Sequence, residues 1–171
     1  ARIKIELIVD GGGTKGFGHL RRSLTLAHEM RKNGFLIRFM PQSEKAKSLA
    51  PILNQYKGKP NVLIIDVPES HDYFIKKYRT PGVPIVALDY FGNCKVDLTI
   101  SIYEHVDPVP SGRRLVGLKY SLIRQEILET IECKKTTNVL VMIGGGDVHH
   151  LGPKIAVQLA QLGLPVDLIE G

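Results

Sequence analysis

The chain has 171 residues, 43% of them hydrophobic, with 23 Lys and Arg against 17 Asp and Glu. That apolar content suits a packed core rather than disorder, no apolar run approaches the roughly 20 residues of a membrane span, and the start lacks the pattern of a secretory leader. The positive charge is scattered along the sequence and aromatics reach only 6%, so an anionic small molecule is a better expected partner than nucleic acid.

An apolar run, Ile3 to Val9, opens the chain and reads as a strand. Five glycines between Gly11 and Gly18 then turn it into a helix near 19–33, closed by Asn33-Gly34. Phe35 to Met40 reads as a second strand. Gln42-Ser43 would cap a helix running to about Tyr56, and Lys57-Gly58-Lys59-Pro60 would break the chain. Val62 to Asp66 is a short, continuously apolar run ending on an acid, as buried parallel strands do. A helix near 70–79 follows, then a strand from Val83 to Asp89 and another from Asp97 to Ile102. Residues 103–118, broken by Pro108, Pro110 and Ser111-Gly112, read as a long loop, and Ser121 to Glu132 as a helix. A new cycle then opens: strand Val139 to Ile143, glycine turn Gly144-Gly145-Gly146-Asp147, helix Gly152 to Leu162 and strand Val166 to Ile169.

Alternating strands and helices imply an α/β protein, a Rossmann-like parallel sheet with helices on both faces. Ligands bind such sheets at the carboxyl ends of the strands. Asp10 with the glycine loop, Asp66, Asp89 and the 144–147 turn all fall there. The first three would line one crevice, and the fourth belongs to a second sheet whose crevice would face it. Charge follows the same division: residues 1–130 carry 20 Lys and Arg against 13 acids, and residues 131–171 carry 3 against 4.

The glycine loop formally matches the dinucleotide fingerprint, but no acid ends the second strand to hold a ribose, so NAD and FAD are disfavoured and no cofactor is expected. His149 and His150 diverge on one short turn beside Asp147, which gives no metal spacing. Cys94 and Cys133 match neither a metal site nor a disulfide framework and fit a reducing, cytoplasmic setting. His19 stands where the loop becomes helix, beside glycines that admit a ligand, with Arg21 and Arg22 opposing the helix dipole. Asp10, Asp66 and Asp89 are each good helix caps; alternatively one of them orients His19 or holds a sugar hydroxyl.

The stretch Val9 to Ala27 with Gly-Phe-Gly-His-Leu-Arg-Arg22 at its centre, then Leu63-Ile-Ile-Asp66, Ile85-Val-Ala-Leu-Asp89, Gly117-Leu-Lys-Tyr-Ser-Leu-Ile-Arg124 and Val139 to Asp147, resembles the nucleotide-sugar hydrolases of pseudaminic acid biosynthesis. Those enzymes cleave UDP from 2,4-diacetamido-2,4,6-trideoxy-β-L-altropyranose. They are related to spore-coat polysaccharide proteins and to the two-domain GT-B glycosyltransferases. The resemblance implies a Rossmann-like N-terminal domain over residues 1–132 and, over 133–171, the start of a C-terminal nucleotide-binding domain cut short, to be completed by further chain or by self-association. It implies a hydrolase of a UDP-sugar in surface-glycan synthesis, with His19 as the base, Gly16 and Gly18 as the permissive loop, and no metal. Asp10, Arg22, Asp66 and Asp89 would support or contact the substrate, and Gly144, Gly145, Gly146 and Asp147 would face the diphosphate. An inverting glycosyltransferase and a non-catalytic nucleotide-sugar-binding domain are the alternatives.

Overall fold

The computed structural model describes residues 2–12, 16–49, 53–69, 71–104, 110–129, 136–144 and 147–170. Six strands form one sheet: β1 (Lys4–Val9), β2 (Leu36–Pro41), β3 (Val62–Asp66), β4 (Ile85–Leu88), β5 (Val96–Ser101) and β6 (Ser111–Val116), in the order β2-β1-β3-β4-β5-β6. Every pairing is parallel. Helices α1 (Gly18–Lys32), α2 (Glu44–Leu49), α3 (His71–Tyr78) and α4 (Gln125–Leu128) connect or follow these strands. A second sheet pairs β7 (Val139–Met142) with β8 (Val166–Ile169) in parallel across α5 (Leu151–Gln161). The fold is therefore the α/β, Rossmann-like arrangement that the alternation implies.

Strand alternation divides the core in two. Ile5, Leu7, Val9 and Ile64 pack on one face with Leu20 and Ala27 of α1. Ile8, Leu63, Ile65 and Ala87 pack on the other with Ile75 of α3. Side chains two apart share a face of a strand, so Asp66 points with Val62 and Ile64 towards α1. The chain leaves β1 for β2 in one direction, then returns past β1 to β3. The β1–β3 boundary is thus a topological switch point, where open parallel sheets leave a crevice at their carboxyl edge.

Three local expectations are corrected. The helix after Ser43 ends at Leu49 instead of about Tyr56. Ser43 does cap it, its Oγ accepting from the amide of Ala46 at 3.1 Å. Residues 53–55 instead run antiparallel along the edge of β2: the amide of Phe39 donates to the carbonyl of Leu53 at 2.7 Å, and the amide of Gln55 to that of Ile37 at 3.1 Å. Pro51, which disfavours a continuing helix, is the stop signal in the sequence. The long loop over 103–118 contains β6. Its Gly112, Arg113 and Arg114 are exposed, and an edge strand guarded by charge shows no apolar period. The helix expected over 121–132 reduces to α4 behind a 3₁₀ turn at Leu118–Tyr120, and residues 130–132 lie outside the described residues. Among the described residues no helix is long and apolar enough to cross a membrane.

Candidate functional site

The site is built on the first two turns of α1. His19, Arg22 and Ser23 lie three and four positions apart and so share one face of the helix. That face lies over the carboxyl end of β3, where Asp66 is fully buried. All three converge on its carboxylate. His19 Nδ1 lies 2.7 Å from Oδ1. Arg22 Nε donates to Oδ2 at 2.9 Å and its Nη2 to Oδ1. Ser23 Oγ donates to Oδ2 at 2.6 Å.

A carboxylate only accepts, so His19 carries its proton on Nδ1 and donates it to Asp66. In the neutral ring Nε2 is then the nitrogen that carries the lone pair. No hydrogen bond to it is found among the described residues, and the His19 side chain is 25% exposed. Arg22 Nη2 also comes within 3.0 Å of His19 Nδ1, an approach of two donors around one shared carboxylate oxygen. Burial alone would push Asp66 up. The bonds from Arg22 and His19 outweigh it and hold the carboxyl below its ordinary value. Burial likewise opposes the charge of Arg22, and the bonds to Asp66 and Asp89 overcome it, holding the guanidinium more firmly protonated.

Asp89 follows β4 with a left-handed backbone, φ 46°, a conformation that costs a non-glycine residue about 1–3 kcal/mol. Its carboxylate accepts from Arg22 Nη1, from Ser101 Oγ at 2.9 Å and from the amide of Ile102 at 3.4 Å. The first turn of α3 fixes the residues on either side. His71 Nε2 lies 3.2 Å from the carbonyl of Leu88, and Asp72 accepts from the Tyr90 hydroxyl and from the amides of Asn93 and Cys94. Burial lowers the pKa of His71, so the ring is the neutral form with Nε2–H as donor.

The sequence placed Asp66 and Asp89 side by side as crevice contacts, and their positions differ. Asp66 is sealed from solvent with both oxygens occupied, so it orients His19 and Arg22 instead of touching a ligand. Asp89 lines a cavity of about 430 Å³ with Arg22, Ser101, Lys119 and Tyr120. Asp10 is buried, and its Oδ1 accepts from the amides of Gly11 at 2.9 Å and Ser43 at 3.2 Å, so it braces the loop. Gly16 takes φ 69°, while Gly18 has no left-handed backbone and open space where a Cβ would stand.

A second cavity, about 560 Å³, lies between the two sheets, with Gly18, Arg21, Arg22 and Arg124 facing Met142, Gly144 and Glu170. The two glycine turns therefore meet across one cleft. His19 itself lines neither cavity; its neighbour Gly18 lines the cleft, and Arg22, bonded to the same carboxylate, lines both. Arg21, which the sequence singled out only as a cation opposing the helix dipole, and Arg124, to which it gave no role, both line this cleft. Asp147 caps α5, its Oδ1 accepting from the amide of Leu151 at 2.8 Å and Oδ2 from that of Gly152 at 2.7 Å. A carboxylate thus already holds the amides at that helix end, and Gly144, at φ 79°, is the described part of the turn that faces the cleft. Gly145 and Gly146 lie outside the described residues. Among the described residues no three His, Cys, Asp or Glu side chains gather as a metal site.

No family model matches the chain, and no solved structure matches it. An uncharacterised protein of Methanocaldococcus jannaschii is 27% identical over an alignment 192 positions long, gaps included, that covers 92% of this chain and 40% of that protein. The chain thus spans two fifths of the length of the curated relative it matches.

Proposed function

We propose that the protein hydrolyses a nucleotide-activated sugar, a UDP-sugar of surface-glycan synthesis in the cytoplasm, releasing UDP and the free sugar. The observation that carries this reading is the 2.7 Å bond from His19 Nδ1 to the buried carboxylate of Asp66 at the switch point of the sheet. It leaves Nε2 of the neutral ring as the base, on a side chain that is 25% exposed. Water attacks the anomeric carbon, its proton passes to Nε2, and the bond from that carbon to the diphosphate oxygen breaks with the electron pair leaving on UDP. Asp66 stabilises the imidazolium that forms. Arg21 and Arg124, on the cleft wall without a carboxylate partner among the described residues, are placed to take up charge on the departing diphosphate.

The 430 Å³ cavity favours a second reading. It adjoins the cleft at Arg22 and Leu122 and is large enough for a separate small ligand. A sugar hydroxyl bound there in place of water would make the protein an inverting glycosyltransferase. The test is release of UDP from UDP-sugars with and without acceptor sugars. Release without acceptor is expected, and it should vanish in His19→Ala while the circular dichroism spectrum is kept. Release only with acceptor favours the transferase, and unchanged release in His19→Ala contradicts both readings.

A further inference from the structure

The charges that look scattered in the sequence converge in the fold. Two grooves open at the amino ends of the strands, the pole opposite His19. One, of about 450 Å³, lies where β1 and β2 begin and α1 ends, and is lined by Arg2, Arg31 and Lys32. The other, of about 370 Å³, lies where β3 and β4 begin and α3 ends, and is lined by Lys59, Lys77 and Arg79. Carboxylates do little to balance them. Lys32 meets Glu29 at 3.5 Å, and Glu6, the acid of the second groove, is taken up by Arg38. The other five have no ion pair among the described residues. Lys59 and Arg79 are held instead by the carbonyls of Pro81 and Lys95, which position the charge without cancelling it.

Cations in the last turn of α1 and α3 are ordinary complements to the helix dipole. Arg2 and Lys59 have no such explanation, because they sit in segments leading into strands. Between Arg2 and Lys4 stands Ile3, 48% exposed at the same pole. Of the aromatic residues here, Tyr56 is 7% exposed and carries the Arg38 guanidinium over its ring at 4.7 Å, Phe35 and Tyr78 lie against the two core clusters, and Tyr73, 58% exposed, stands outside the grooves with the Lys77 ammonium 5.6 Å from its ring. Among the described residues, the two grooves therefore offer charge and a neighbouring apolar side chain, and the aromatics that line them, Phe35 and Tyr78, are packed against the core instead of forming a stacking platform for bases.

We propose that this pole docks the protein on an anionic phospholipid surface, with Ile3 entering the headgroup layer and the cleft left facing water. The attraction is peripheral and falls off within a Debye length, about 10 Å at 0.1 M salt. Such docking does not require the reaction proposed above.

Flotation of the protein with vesicles tests it. Binding is expected to vesicles of 30% phosphatidylglycerol in phosphatidylcholine at low salt, and not to phosphatidylcholine alone. It should be lost in 0.5 M salt. Each Lys or Arg near such a surface contributes roughly fivefold, so the triple variant Arg31→Glu, Lys59→Glu, Arg79→Glu should bind at least about 100-fold more weakly. A second variant, Arg113→Glu with Arg114→Glu on β6, removes positive charge away from the two grooves and should bind with much less loss per charge reversed. Failure to bind the anionic vesicles, equal binding by the triple variant and wild type, or displacement from vesicles by duplex DNA at equal charge concentration overturns the proposal.

Discussion

Asp66 is the side chain on which the site turns. Its burial would be costly alone and is offset by three donor side chains from α1. Asp66→Asn should destabilise the fold by about 3 kcal/mol in urea titration, because Arg22 is left without its main partner, and should lower turnover by roughly 10²–10⁴. The folded pKa of Asp66 is depressed, so its contribution is complete above the ordinary carboxylate range and is lost as pH falls below about 4. The stability gap between wild type and Asp66→Asn should accordingly narrow in acid. His71 adds a slope at higher pH. Its folded pKa is lowered, so the unfolded chain takes up a proton first as pH drops below about 6.5. His71→Gln should flatten the loss of stability between pH 7 and 5. Of these residues the sequence made His19 and the three strand-end acids legible, but it could not rank the acids. The missed signal was Ser23, a hydroxyl at a core-facing helical position four residues from His19, which calls for a buried acceptor.

Elements explain which glycines matter. Gly16 needs its left-handed backbone, so Gly16→Ala should cost about 1 kcal/mol in thermal unfolding. Gly18 opens α1 with ordinary dihedrals, and no atom lies within 4 Å of the position a Cβ would take, so Gly18→Ala should leave stability unchanged or slightly raised. Because Gly18 lines the cleft, the same substitution should weaken UDP binding in calorimetry; equal affinity would remove the loop from the site. The strands β1, β3 and β7 were legible from their apolar runs, which in β1 and β3 reflect burial. The segment at 53–55 and β6 were not, because edge pairing rests on backbone hydrogen bonds that leave no apolar period.

The complete fold sets two glycine turns from different sheets across one cleft, with a second cavity beside it. The first sheet has a closed core on both faces. Around the second, Leu140, Met142, Val157 and Leu162 are each more than half exposed, and the chain spans 40% of the length of its archaeal relative. That the second turn would face the first was legible from the strand-end rule alone. The convergence of Arg21 and Arg124 on the cleft was not, since it depends on how segments a hundred residues apart meet. The decisive experiment follows the fate of oxygen during turnover in ¹⁸O-labelled water. Water attack at the anomeric carbon predicts the label in the free sugar and none in UDP, whereas label in UDP would place the attack on phosphorus and contradict the role given to His19.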